Sequence, residues 1–98
     1  MVKQSNKQCE ICKIFSNANR IDILVTLRDS PKTVSEIVKQ TNMPQSVVSQ
    51  HLAILRNKNI VETEKNGAWI IYKLSYPEIM GAFDIMKGVT KKITGTKK

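Results

Sequence analysis

Positions 1–7 show no apolar periodicity and are expected to fray. From Cys9 to Phe15 the apolar residues Ile11, Ile14 and Phe15 recur at helical spacing over a short stretch. Ser16-Asn17-Ala18-Asn19 then reads as a stop and restart, with Ser or Asn as the new N-cap. Ile21, Ile23, Leu24 and Leu27 continue as a second helix, ended by Asp29-Ser30-Pro31. Thr33-Val34-Ser35-Glu36 is a T-x-x-E capping box that opens a third helix, with Val34, Ile37 and Val38 facing inward. Thr41-Asn42-Met43-Pro44 breaks it. A fourth helix is predicted over 45–58. Its apolar stripe is Val48, Leu52 and Leu55, with Ile54 beside it; Gln45, Ser46, Ser49, Gln50 and Arg56 face outward.

The period then shortens. Ile60-Val61-Glu62-Thr63-Glu64 and Trp69-Ile70-Ile71-Tyr72-Lys73-Leu74 are rich in β-branched and aromatic residues and read as two strands. Asn66-Gly67 between them is a strong hairpin signal; it predicts a type I′ turn with positive φ at both residues. The hairpin therefore spans about 60–74, and Trp69 is expected to cover its base. Pro77 suits the first turn of a last helix carrying Ile79, Met80, Phe83, Ile85 and Met86. The tail has five lysines from Lys87 onward and no acid, and it is expected to fray over 94–98. No repeat or linker interrupts the chain. Residues 1–98 form one domain, mainly α with a β-hairpin (α+β), in the order α-α-α-α-β-β-α.

Charge changes the picture more than composition does. Sixteen Lys and Arg against eight Asp and Glu give a formal charge of +8, which favours an anionic partner such as nucleic acid. No apolar run approaches the ~18 residues of a membrane span, and the polar start lacks a signal-peptide core. The chain is expected in the cytoplasm, with its cysteines reduced. One His and no readable set of nucleophile, base and orienting group argue against an enzyme.

Two short helices around a tight break, followed by a hairpin, describe a winged helix-turn-helix. The second helix of the pair, 45–58, is narrow and polar at its N-terminal face, as a helix entering a ~12 Å major groove must be. Gln45, Ser46, Ser49 and Gln50 can bond base edges, and Val47 can touch a thymine methyl. His51 and Arg56 are candidate phosphate or base contacts. The wing tip Lys65-Asn66-Gly67 is small and cationic, suited to the backbone or the minor groove.

Over Phe15–Leu74 the sequence resembles the ArsR (arsenic-repressor-like) winged-helix regulators. Ala18-Asn19-Arg20-Ile21-Asp22-Ile23-Leu24 is similar to the family's opening P-T-R-L-x-I-L. Gln45-Ser46-Val47-Val48-Ser49-Gln50-His51-Leu52-Ala53-Ile54-Leu55 is similar to Q-S-T-V-S-x-H-L-x-x-L. Gly67 to Leu74 is similar to the wing signature G-x-x-x-x-Y-x-L. The resemblance implies a homodimer built from the first and last helices, binding double-stranded DNA at a palindromic operator as a repressor. The apolar residues of those two helices fit this: Ile11, Ile14 and Phe15 in the first; Ile79, Met80, Phe83 and Met86 in the last.

Metal-sensing members carry Cys-Val-Cys where this chain has Thr33-Val34-Ser35, and a hydroxyl is a poor ligand for a soft metal. Others use His and carboxylates on the last helix, where this chain has Glu78 and Asp84 but no His. No resident cofactor or metal is expected from these positions. Cys9 and Cys12 remain. Their C-x-x-C spacing allows half of a zinc site completed across a dimer, a redox-sensing disulfide, or plain packing. Three other functions stay open beside the regulator. They are a protein-docking winged helix, a nonspecific architectural DNA binder, and a redox or metal sensor built on the two cysteines.

Overall fold

The computed structural model describes residues 13–95. Four helices and one hairpin follow in chain order among them: α1 (Ala18–Asp29), α2 (Val34–Thr41), α3 (Gln45–Asn57), β1 (Val61–Asn66), β2 (Trp69–Leu74) and α4 (Ile79–Thr94). The expected helix around Cys9–Phe15 lies mostly outside the described residues, which pick up a helical turn at Lys13 and Ile14.

Local chemistry sets the helix ends. The Asn17 side chain accepts the Arg20 N–H at 3.1 Å and caps α1. The capping box of α2 forms as its sequence predicts. The Glu36 N–H donates to Thr33 Oγ1 at 3.3 Å, and the Thr33 N–H donates to Glu36 Oε1 at 2.8 Å. Asn42 ends α2 in the left-handed region (φ 62°), a conformation asparagine tolerates better than most residues. Its N–H donates to the Val38 carbonyl at 2.9 Å.

α3 ends at Asn57, one residue earlier than expected, in a Schellman motif. Asn59 takes φ 64° and donates to the Arg56 carbonyl at 3.0 Å, while Ile60 donates to the Leu55 carbonyl at 2.9 Å. Buried Ile60 anchors this exit, and the chain leaves directly into β1.

The strands are antiparallel, with Val61 opposite Leu74 and Asn66 opposite Trp69. This register corrects the expected turn. Asn66 belongs to β1, so Gly67-Ala68 are the central residues; Gly67 alone has positive φ (64°), the type II′ pattern in place of type I′. The register also corrects Trp69. It stands beside the turn, beyond the end of the core, and is 62% exposed. The outer edge of β2 pairs with Lys32 through two backbone bonds to Tyr72, at 2.9 and 2.8 Å. That pairing ties the hairpin to the segment just before α2.

One core holds these elements together. Ile23, Leu24 and Leu27 of α1, Ile37 of α2 and Val48, Leu52 and Leu55 of α3 meet Ile60, Val61 and Leu74 of the hairpin region. Ile14 and Met80, both 1% exposed, close the core from the two ends of the described chain. The Phe15 and Phe83 rings stack at 6.0 Å between centroids, and Arg28 of α1 donates two bonds to the Asp84 carboxylate of α4. α4 ends at Thr94, and Gly95 follows at φ 71°; residues 1–7 and 96–98, where fraying is expected, lie outside the described residues.

Leu52→Ala should cost about 2–5 kcal/mol, because the vacated volume lies at the centre of this core. Urea denaturation should show a lower midpoint with an unchanged slope.

Candidate nucleic-acid interface

Burying Val48, Leu52 and Leu55 turns the opposite face of α3 to solvent. Gln45, Ser46, Ser49, Gln50 and Arg56 are all exposed there, with Val47 and His51 half-buried beside them. All seven residues predicted on this helix are thus at least partly open to solvent. The α3 N-terminus carries no side-chain cap. Pro44 precedes it, and its first turn contains no acid. Unpaired N–H groups and the positive end of the helix dipole therefore face outward, a setting that favours a phosphate.

His51 does not stand alone. Nε of Arg20, on α1, donates to His51 Nδ1 at 3.4 Å. An accepting Nδ1 leaves the ring proton on Nε2, so the imidazole keeps one donor for a partner. Partial burial, then the nearby Arg20 charge, hold the His51 pKa below the usual 6.5.

The hairpin stands against the C-terminal half of α3. Ser49, Ala53, Arg56 and Asn57 of α3 join Asn59 and Tyr72 around an open cleft of about 460 Å³. The cleft offers hydroxyl, amide and guanidinium groups, all able to bond a phosphate. Lys65, Asn66 and Gly67 are exposed at the wing tip.

The residues expected at a dimer seam divide. Ile14 and Met80 are corrected: both lie within the protomer's own core and offer nothing to a partner. Phe15, Ile79 and Phe83 are half-buried against that core, and Met86 is exposed. Ile11, Cys9 and Cys12 lie outside the described residues. The sequence selection missed the outer stripe of α4, where Ile85, Val89 and Ile93 are 70%, 48% and 79% exposed. Their i, i+4, i+8 spacing was the available signal. It also left out Asn57 and Asn59, which no local pattern marks, and Tyr72, which stands in the wing signature but was given no part in binding.

Two of the residues weighed as ligand positions, Thr33 and Asp84, have partners within the protomer. The Thr33 hydroxyl caps α2, and Asp84 is ion-paired with Arg28. No group of three His, Cys, Asp or Glu is placed to hold a metal among the described residues. No helix among them is long and apolar enough to cross a membrane.

Comparison with known proteins extends this geometry. A profile described as bacterial regulatory protein, arsR family, matches residues 17–63. The chain is 34% identical to the transcriptional activator HlyU of Vibrio cholerae over 86 residues, which cover 88% of this chain and 80% of HlyU. The chain belongs to the arsR family. It is also 36% identical to the HTH-type transcriptional repressor SmtB of Mycobacterium tuberculosis, over 67% of this chain but only 49% of SmtB. The match thus spans about half of that relative.

Solved structures of the same kind superpose well. HlyU from Vibrio cholerae N16961 gives a TM-score of 0.76 at 32% identity, covering 91% of this chain and 97% of HlyU. The transcriptional repressor BigR from Xylella fastidiosa gives 0.73 at 28% identity, covering 83% and 86%. The fold is a winged helix-turn-helix, with α2 and α3 as the helix pair and β1–β2 as the wing.

The His51 geometry makes a pH prediction. A histidine whose folded pKa is depressed contributes stability that is full above the unfolded value near 6.5 and is lost as the pH falls below it. Wild-type denaturation midpoints should therefore drop more steeply from pH 7 to pH 5 than those of His51→Gln. Parallel curves for the two proteins would show that His51 titrates normally.

Proposed function

We propose that this arsR-family chain is a homodimeric, sequence-specific repressor of transcription that binds a two-fold symmetric site on double-stranded DNA in the cytoplasm. The carrying observation is the outward face of α3. Its small polar side chains cluster at an uncapped helix N-terminus, and the wing flanks the other end. Gln45, Ser46, Val47, Ser49 and Gln50 read base edges in the major groove. His51 and Arg56 hold phosphates, and Lys65, Asn66 and Gly67 follow the backbone or the minor groove. The +8 charge supplies the nonspecific part of the affinity. The activity is binding, with no catalytic step.

The dimer uses the exposed stripe of α4, with Ile85, Met86, Val89 and Ile93 packing against a second copy. An apolar strip of this length left in water is the usual mark of an interface. Homodimers place two recognition helices one DNA turn apart, which is why a palindromic operator follows. HlyU is described as an activator, whereas SmtB and BigR are described as repressors. The same DNA contacts serve either outcome, and the position of the operator relative to the promoter decides between them.

Fluorescence anisotropy on the chain's own upstream DNA, at one fixed salt, tests the proposal. Preference over a scrambled duplex should reach ~10³-fold. Equal affinities would favour an architectural binder, and no binding would favour a protein-docking module. Gln45→Ala and Ser49→Ala should each relax base preference by ~1–3 kcal/mol, whereas Lys65→Ala should weaken all duplexes alike and reduce the salt slope by about one. Ile85→Asp with Val89→Asp should shift sedimentation from dimer to monomer while leaving the helical circular dichroism intact.

A further inference from the structure

Neighbouring residues of a strand point to opposite faces. Tyr72 faces the α3 cleft, so Trp69 and Ile71 face away from it. With Asn66 they meet Pro31, Ser35 and Glu36 around a second cleft of about 520 Å³, on the other side of the wing. That volume falls in the range of small-molecule sites, roughly 300–1,000 Å³.

The chemistry of this cleft differs from that of the rest of the chain. The protein carries a formal charge of +8, yet neither lysine nor arginine lines this cleft, and its one ionisable side chain is the carboxylate of Glu36. The register puts Glu62 and Glu64 on the same face of the hairpin as Trp69. The one lysine on that face, Lys73, is held by both of them, at 3.6 and 3.4 Å. Trp69 is the only tryptophan in the chain, and 62% of it is open to solvent. An exposed indole beside a carboxylate is how proteins hold organic cations, because the negative ring face and the acid attract the same charge. Pro31 and Ile71 supply apolar walls for the rest of such a molecule.

We propose that this cleft binds a small amphipathic organic cation, its ammonium group between the Trp69 ring and the Glu36 carboxylate. The ligand touches the start of α2 and the wing tip together. It therefore bridges the two parts of the fold whose relative placement positions the wing beside α3. The proposal does not depend on the DNA-binding role, and its test contains no DNA.

Trp69 itself is the probe. The full-length chain is titrated with benzyltrimethylammonium chloride while the tryptophan emission is followed, with benzyl alcohol and benzenesulfonate as neutral and anionic comparators. The cation should quench saturably, and the comparators should bind at least several-fold more weakly. Glu36→Gln retains the capping box, since Gln also serves at that position, but removes the charge. It should weaken cation binding by about two- to fivefold at an unchanged melting temperature, the range expected when one exposed carboxylate–cation contact is lost. Trp69→Leu, followed by calorimetry, should lose binding. Equal affinity for cation and sulfonate, an unchanged constant in Glu36→Gln, or no saturation by the cation would each overturn the proposal.

Discussion

Val48, Leu52 and Leu55 enter the core along one stripe of α3 and leave at most 1% of each side chain exposed. This burial is the constraint on which the surface chemistry depends. A helix is a cylinder, so sealing one stripe fixes the direction of every other position. Gln45, Ser46, Ser49 and Gln50 face outward because their neighbours cannot. Rotating α3 by one residue would lift Leu52 into water at a cost of about 1.5–3 kcal/mol, a large share of the stability of a domain this small. The polar face is therefore presented rigidly, and a partner that reads it pays little to order it.

The ends of α3 extend that constraint to the rest of the surface. Pro44 starts the helix without a side-chain cap, which leaves its N–H groups open. The Schellman turn at Asn59 closes the other end and sends the chain into β1, so the wing must stand beside the C-terminal half of the helix. The paired backbone bonds between Lys32 and Tyr72 hold β2 from its other side. One hairpin thus serves two clefts of opposite character. The cationic, hydroxyl-rich one contains Arg56 and Tyr72, and the carboxylate-lined one contains Glu36 and Trp69.

Features that depend on a few consecutive residues were legible in the sequence. The Thr33–Glu36 box and the Asn17 cap involve partners three positions apart, and the α3 stripe repeats every three or four. Features set by distant partners were not. Asn66-Gly67 looked like the turn itself, but the pairing of the strands along their whole length moved the turn to Gly67-Ala68. Helical spacing showed that α4 has apolar positions without showing what covers each one. Met80 turned inward to the core and Ile93 outward to solvent, although both sit in the same pattern. The bond between Arg20 and His51 joins residues 31 positions apart and leaves no local trace.

The outer edge of β1 has a consequence for how crowded copies of this protein behave. β2 is flanked on both sides, by β1 and by Lys32, but β1 has a neighbour on one side only among the described residues. A bare strand edge is a template for another chain's backbone. Here the strand reads Val-Glu-Thr-Glu-Lys-Asn, with charges at Glu62, Glu64 and Lys65 and a single buried apolar residue, Val61, at its start. A second hairpin adding to that edge would have to desolvate those charges, and strands of this kind resist sheet-to-sheet addition. The charge pattern of the wing therefore also keeps copies of the chain from polymerising through their edges.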